Sequence, residues 1–392
     1  MIKIEEAYDI VKKAAFTLTT ERVLFSESLN RILAEDVKSD IEMPPFNKSA
    51  VDGYACRKED IDSGFRELEI IESVKAGQIP QKIVEKGQCT QIMTGASVPE
   101  GADIVVMVEH VEITDNKIKI KKKEEKGNVS FKAEDVKKGQ IVLRKGIQIK
   151  PQHIAIFASV GYINVLTYKI PQLAIISTGD ELVEPQNKPG VSKIRNSNGH
   201  QLIAQATQMG VKANYYGIVK DIEEDTYNIV IKALAENDMI ILTGGVSMGE
   251  FDFVPNILKQ AGINILFDRI AVKPGKPTIF GTLGKKFCFG LPGNPVSSFI
   301  QFELLVKPLL FEMMGMDFKP VDIRLPMAIE YSRKRTVRRS YIPVIIENGM
   351  IKTVEYHGSA HIHALSLADG IISIPIGVKS LKKGEIVSVR QI

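Results

Sequence analysis

Met239-Ile240-Ile241-Leu242-Thr243-Gly244-Gly245-Val246-Ser247-Met248-Gly249-Glu250-Phe251-Asp252 opens on an unbroken apolar run and then changes abruptly to glycines, hydroxyls and acids. A short continuous apolar run bounded by glycine predicts a strand buried on both faces, as in a parallel sheet covered by helices. The same arrangement recurs on both sides. Leu173–Ser177 leads into Thr178-Gly179-Asp180-Glu181, and Val211–Tyr216 into Lys220-Asp221. Ile263–Ile270 is followed by Lys273-Pro274-Gly275-Lys276, and Phe287–Gly290 by Pro292-Gly293-Asn294-Pro295. Helical patterns near 198–209, 222–236, 253–261 and 295–307 alternate with these strands. Such alternation predicts right-handed crossovers and a three-layer α/β domain with a mainly parallel sheet. In that architecture ligands bind in the crevice at the carboxyl ends of the strands. The polar turns would meet there, combining acids, lysines and backbone amides. That is chemistry for holding a phosphorylated or oxyanionic ligand together with a divalent cation.

The last helix of this region has the plainest signals. Asn294 suits its cap, Pro295 its first position, and Val296, Phe299, Ile300 and Leu304 form an apolar stripe. Pro308 is expected to end or kink it, with Leu309–Met314 able to continue for a further turn or two. Outside this region the pattern changes. Ile4, Ala7, Ile10, Val11, Ala14 and Ala15 mark an N-terminal helix. Short β-like runs at Glu67–Val74, Cys89–Met93 and Asp103–Val108, divided by Gly and Pro clusters, predict a small β-rich domain over 46–144. A helix starting at Pro151 and stopping at Gly161 is expected to pack with the N-terminal helix, giving a discontinuous domain of 1–45 and 145–170. The α/β domain covers 171–319. From 320 to 392, short strands at Ile323–Ala328, Tyr341–Ile346, Ile351–Val354, Ile371–Ile374 and Ile386–Val389 predict a compact barrel or sandwich.

Composition narrows the function classes. With 392 residues, 44% hydrophobic and 25% charged, the chain is a multidomain globular protein. A net charge of +4 without a basic stripe argues against nucleic-acid binding. No apolar run is long enough for a membrane span. Cys56, Cys89 and Cys288 are widely spaced and unpaired in pattern, which suggests reduced thiols in the cytoplasm and neither a zinc site nor a nucleophile. His357, His361 and His363 have offsets unlike a zinc cage and read as a loop and short helix.

Several segments carry candidate site residues. Gly244 and Gly245 let backbone approach a ligand, Ser247 adds a hydroxyl, and Glu250 and Asp252 add carboxylates. Lys273 and Lys276 flank a rigid Pro-Gly turn and suit an oxyanion as point charges. Pro292, Gly293 and Asn294 turn a strand into a helix whose exposed amides attract anions. Glu181 and Asp221 are hard carboxylates suited to magnesium, with simple neutralisation of the lysines as the alternative for Asp180 and Asp221. Pro44–Ala55 and Ile92–Asp103 are loop-site candidates in the β-rich domain.

In order along the chain, Asn47–Ala55, Met93–Asp103, Ser177–Leu182, Gly244–Asp252, Lys273–Pro277, Leu291–Val296 and Tyr356–Gly370 resemble the MoeA-type molybdopterin molybdenumtransferases, the gephyrin E-domain family. The resemblance covers nearly the whole chain. It implies a transferase of molybdenum-cofactor biosynthesis, in which molybdate is inserted into adenylylated molybdopterin with magnesium and AMP is released. It also implies a homodimer whose active site is shared between subunits, with a molybdopterin adenylyltransferase and cofactor-accepting enzymes as partners. Carried over by motif, Asp52, Thr94, Glu181, Asp221, Asp252, Lys273 and Lys276 take catalytic places, and Glu181, Asp221 and Asp252 are the metal ligands. Gly244, Gly245, Ser247, Pro292, Gly293, Asn294, Ser297, Arg339 and Ser359 bind substrate, Arg339 with nearby amides being a candidate for molybdate. Asp52 would approach from the other subunit. One departure is Lys132-Ala133 where the family usually has Arg-Gly, which removes a planar guanidinium fork. A scaffold protein and a nucleotidyltransferase acting on molybdopterin are the alternative classes. The lysines and acids favour an enzyme over the scaffold, and AMP release would separate the two enzymes.

Overall fold

Alternate residues of Met239–Thr243 and its neighbouring strands face two different cores. Leu173, Ile175, Met239, Ile241, Phe287 and Phe289 face one. Ala174, Ile176, Ile240, Leu242 and Cys288 face the other. Helices cover both faces: Asn198–Gln208 and Pro295–Gln301 contribute Leu202, Ala206, Val296 and Ile300 to the first core. Glu223–Glu236 and Val254–Gln260 contribute Val230, Ala233, Ile257 and Leu258 to the second. The three layers follow from strands that are apolar on both faces. This is a computed structural model, and it describes residues 1–246, 253–355 and 358–392.

The sheet has six strands in the order Ala213–Val219, Leu173–Thr178, Met239–Thr243, Lys286–Leu291, Pro277–Leu283, Asn264–Arg269. The first four are parallel. Pro277–Leu283 is a strand that the sequence reading did not foresee. It runs antiparallel to Lys286–Leu291 through a tight Gly284-Lys285 turn, and Asn264–Arg269 runs antiparallel to it in turn. Two reversals restore the direction, so Asn264–Arg269 ends at the same edge as the parallel strands. The expected placement of the Lys273–Lys276 turn at that edge therefore holds, by a different route.

Asn294 does occupy the cap position of its helix, and the helix continues past Pro308 to Met313, a continuation the sequence allowed. The Asn294 side chain makes no capping bond; its carbonyl accepts the Ser297 and Ser298 N–H groups at 3.0 and 3.1 Å. Pro308 does not end the helix. A π-helical stretch, Phe302–Val306, precedes Lys307–Met313, and the wider turn accommodates a ring that would clash in a regular α-helix.

Backbone contacts divide the chain into two compact units: Met1–Ala34, Gly146–Pro151 and Asn164–Ile392 form one, and Glu35–Lys145 with Gln152–Ile163 form the other. The N-terminal helix, Ile4–Ala14, buries Ile4, Ala7 and Val11 in the first core of the α/β region. The helix Pro151–Ser159 belongs from Gln152 onward to the other unit, where Phe157 stacks on Tyr162. The two helices therefore do not pack together, yet the two segments of the expected discontinuous domain do meet: Thr20–Leu24 runs antiparallel to Asn164–Tyr168, and bridges join Ile32 to Gln148 and Leu33 to Thr167.

Within the first unit the C-terminal region forms a sheet ordered Val272–Lys273, Arg339–Glu347, Gly370–Ile374, Ile386–Gln391, Asp322–Pro326, with Met350–Thr353 beside Arg339–Glu347. A bridge between Met327 and Ile351 joins its ends, which gives the expected barrel. In the second unit a six-stranded sheet places Gly53–Cys56 between Ile104–Met107 and Gln88–Ile92. Ala133 there has a φ of +63°, a left-handed conformation that glycine adopts without strain.

Candidate active site

Strand register sets the level at which the polar turns leave the sheet. Thr178 pairs with Val219, Ser177 with Thr243, and Thr243 with Leu291. The turns after these residues form the walls of a cleft of about 310 Å³ lined by Thr178, Gly179, Glu181, Asp221, Gly244, Gly245, Val246, Pro277, Pro292, Gly293 and Asn294. Glu181, Asp221, Gly244, Gly245, Pro292, Gly293 and Asn294, expected from sequence to converge, share this cleft.

Its geometry is built from backbone. At Gly244, φ is +102° and a Cβ would come within 2.2 Å of the Thr178 carbonyl oxygen, so only glycine allows the two strand ends to approach. The Asp180 and Asp221 loops hold each other: the Asp180 N–H donates to Asp221 Oδ2, and the Asp221 N–H to Asp180 Oδ1, both at 3.2 Å. Behind the Glu181 loop, Asn196 Nδ2 donates to the Tyr215 hydroxyl at 2.7 Å, which donates to Glu184 Oε1 at 2.8 Å. Burial, then the Glu184 carboxylate, raises the Tyr215 phenol above its ordinary value, so it stays a donor.

The lysine turn adjoins a second pocket. Val272–Lys273 pairs in parallel with Arg339 and Ser340. Lys273, Tyr331, Arg333, Arg335, Ser340, Ile342 and Gly358 line a cavity of about 240 Å³. The Arg333 guanidinium is buried and donates to the carbonyls of Val378, Arg338 and Pro375 and to Ser340 Oγ. Lys273 and Arg335 are exposed at this pocket, and Lys276 stands exposed on the same turn. Gln301 Nε2 supports the turn by donating to the Pro274 carbonyl at 3.2 Å, and the Thr278 hydroxyl donates to the Gly275 carbonyl at 2.8 Å.

Other expected residues are distributed as follows. Ser359 reaches the helix start through its backbone, its carbonyl accepting the Val296 N–H at 3.1 Å, and Ser297 is buried in that first turn. Arg339 lies elsewhere. Its side chain bonds Glu5 and Ser373 Oγ and lines a separate cavity with Tyr8, Tyr341 and Arg390. Neighbouring strand residues face opposite ways, so the strand that directs Ser340 to the Lys273 pocket directs Arg339 away from it. Asp52 and Thr94 belong to the other compact unit, where Asp52 Oδ1 accepts the Thr94 N–H at 2.6 Å and hydroxyl at 2.7 Å. The backbone bond, then the hydroxyl bond, holds the Asp52 carboxyl below its usual range. Ser247, Glu250, Asp252 and His357 lie outside the described residues.

The sequence reading named Thr178 in a polar turn without giving it a binding role, and it missed Arg333 and Arg335. Thr178, the last residue of a strand that enters the cleft, was open to inference from its place. The arginines gave no such signal, because strand phase decides which of several neighbours faces a pocket. Burial pushes up the thiols of Cys56 and Cys288, and that of Cys89 to about 12, so none is a thiolate at neutral pH. Among the described residues no helix is long and apolar enough to cross a membrane.

Comparison with known proteins gives the family. Residues 2–161 match the model of the MoeA N-terminal region (domain I and II), 174–312 that of a probable molybdopterin binding domain, and 325–392 that of the MoeA C-terminal region (domain IV). The chain is 35% identical to a molybdopterin molybdenumtransferase of Staphylococcus epidermidis, over 99% of this chain and 95% of the relative. The chain belongs to the MoeA family. It is an enzyme of the molybdopterin molybdenumtransferase class. A Staphylococcus aureus enzyme of the same name is 33% identical, again over 99% and 95%. The crystal structure of the molybdopterin biosynthesis MoeA protein from Pyrococcus horikoshii OT3 superposes with a TM-score of 0.85 at 31% identity, covering all of both chains. A molybdenum cofactor biosynthesis protein from Pyrococcus furiosus, at 20% identity and a TM-score of 0.63, shares the fold.

Proposed function

We propose that this MoeA-family enzyme inserts molybdate into adenylylated molybdopterin in a magnesium-dependent reaction that releases AMP. The observation that carries this reading is the convergence of Glu181, Asp221 and the glycine turns at 244–245 and 292–294 in one cleft. Backbone amides at close-approach glycines and at a helix start receive phosphate oxygens without a side chain in the way.

The donor set fits magnesium. The ion takes one or two carboxylates, retains several waters and uses substrate phosphate oxygens for the remainder, and the cleft presents Glu181 and Asp221 beside a phosphate-suited turn. The sequence adds Asp252 to that set. When bound, magnesium neutralises charge on the phosphoanhydride and on the departing AMP. Glu181 and Asp221 would hold it, and the Asp180–Asp221 cross-bonds keep their two loops at a fixed spacing. Lys276, exposed on the neighbouring turn, supplies positive charge toward anionic oxygens. Molybdate, a dianionic substrate, is assigned to the exposed Lys273 and Arg335 of the second pocket, with Arg333 as its structural floor, in place of Arg339, whose guanidinium is engaged by Glu5.

In this reading the working enzyme is a cytoplasmic homodimer, with Asp52 and Thr94 of one subunit completing the cleft of the other. A molybdopterin adenylyltransferase supplies its substrate, and molybdenum enzymes accept its product. The test is incubation with adenylylated molybdopterin, molybdate and magnesium. AMP release that needs all three supports the proposal; AMP release indifferent to molybdate and magnesium overturns it.

A further inference from the structure

Asn198 begins the helix Asn198–Gln208 and is 7% exposed. Its Nδ2 donates to Thr243 Oγ1 at 2.9 Å and to the Gly293 carbonyl at 2.8 Å, while Thr243 Oγ1 donates to the Pro292 carbonyl at 3.3 Å. One amide therefore joins the end of strand Met239–Thr243 to the turn before helix Pro295–Gln301. These are the two segments whose glycines, 244–245 and 293, line the cleft. The segments nearly touch there, since a Cβ on Gly293 would lie 3.6 Å from the Gly244 Cα. The ladder ties the two segments as far as the Gly244 N–H bond to the Leu291 carbonyl at 3.2 Å, and past that level, between the 244–245 and 293 turns, the Asn198 amide is the side chain that spans them.

Among the described residues the other half of the amide is unsatisfied: Asn198 Oδ1 is buried and has no hydrogen-bond partner there. An unpaired buried acceptor is costly, and an apolar residue filling the same space would avoid the cost. The amide is explained by its two donor bonds. We propose that Asn198 is a positioning residue for the transferase site. It sets the distance between the Gly244–Gly245 and Gly293 turns, and through it the geometry in which their amides receive the molybdopterin phosphate. Asn198 does not touch the ligand. The inference rests on the reading of this cleft as the molybdopterin site.

The experiment uses the full-length protein and molybdopterin itself as probe, under anaerobic conditions, with Asn198→Ala, Thr243→Val and the double variant. A misplacement well under an ångström predicts about tenfold weaker molybdopterin binding for Asn198→Ala and a smaller loss for Thr243→Val, which leaves the Gly293 bond in place. The double variant should lose less than the sum of the two single losses, because the Thr243 hydroxyl acts in part through the missing amide and only its bond to the Pro292 carbonyl is independent. The KM for molybdate, whose pocket is separate, should stay unchanged. Folded variants that bind molybdopterin like the unaltered protein overturn the proposal, as do losses that add in the double variant or a parallel rise in molybdate KM. Should Asn198→Ala fail to fold, Thr243→Val decides alone: unchanged affinity overturns the inference. If the unaltered protein binds no molybdopterin, the reading of the cleft is what fails, and the inference falls with it.

Discussion

At Gly275 the lysine turn depends on a missing side chain. Its φ is +98°, and a Cβ would lie 2.2 Å from the Nε2 of Gln301, which is fully buried beneath it. Gly275→Ala should destabilise the protein by about 2 kcal/mol in urea titration, the scale of a forced left-handed residue, and should reduce AMP release by displacing both lysines. An unchanged midpoint would mean that the turn tolerates the methyl group. Asp52 yields a pH prediction. Its folded carboxyl sits below the usual value, so it stabilises the fold above the unfolded pKa, and the contribution is lost as pH falls through the folded one. Asp52→Asn should therefore be less stable than the parent at neutral pH, and the gap should close in acid, where the parent is protonated too. A gap independent of pH in parallel denaturation series would refute the Thr94 bonds as its cause.

Elements decide which of these residues meet. Strands apolar on both faces, such as Met239–Thr243, were legible because no other element explains such a run between polar turns. The cleft residues at their ends followed from sheet direction alone. Pro277–Leu283 was hidden because Pro274, Gly275 and Pro277 read as one long turn and Gly281 interrupts the apolar run. The mistaken place of Arg339 has another cause: a motif fixes that a strand exists but leaves open which face each residue takes. The cationic pocket beside Lys273 separates structural charge from exposed charge. Arg333→Ala leaves three carbonyls and a hydroxyl without their donor and should cost about 3 kcal/mol. Lys273→Ala, at an exposed position, should cost less than about 0.5 kcal/mol yet raise the KM for molybdate. Equal destabilisation of the two variants in denaturant titration would contradict this division of labour.

At the scale of the molecule, the residues proposed for catalysis are divided between two compact units: Glu181, Asp221 and the lysine turn in one, Asp52 and Thr94 in the other. Family motifs placed both sets in the sequence, but no periodicity within a single chain indicates whether a site is completed by the same copy or by a second. A mixing experiment distinguishes these cases. Asp52→Asn and Glu181→Gln are each expected to be nearly inactive alone. If each cleft takes Asp52 from the other subunit, random reassortment makes half the dimers mixed. Each mixed dimer then carries one intact site, in which the Glu181 of the Asp52→Asn subunit meets the Asp52 of its mate. Activity should recover to about a quarter of that of the unaltered enzyme, because a two-fold dimer presents two equivalent sites. If each chain completes its own cleft, every site in every dimer keeps one lesion. AMP release then stays at the mean of the two inactive parents, and the shared-site proposal fails while the cleft chemistry stands.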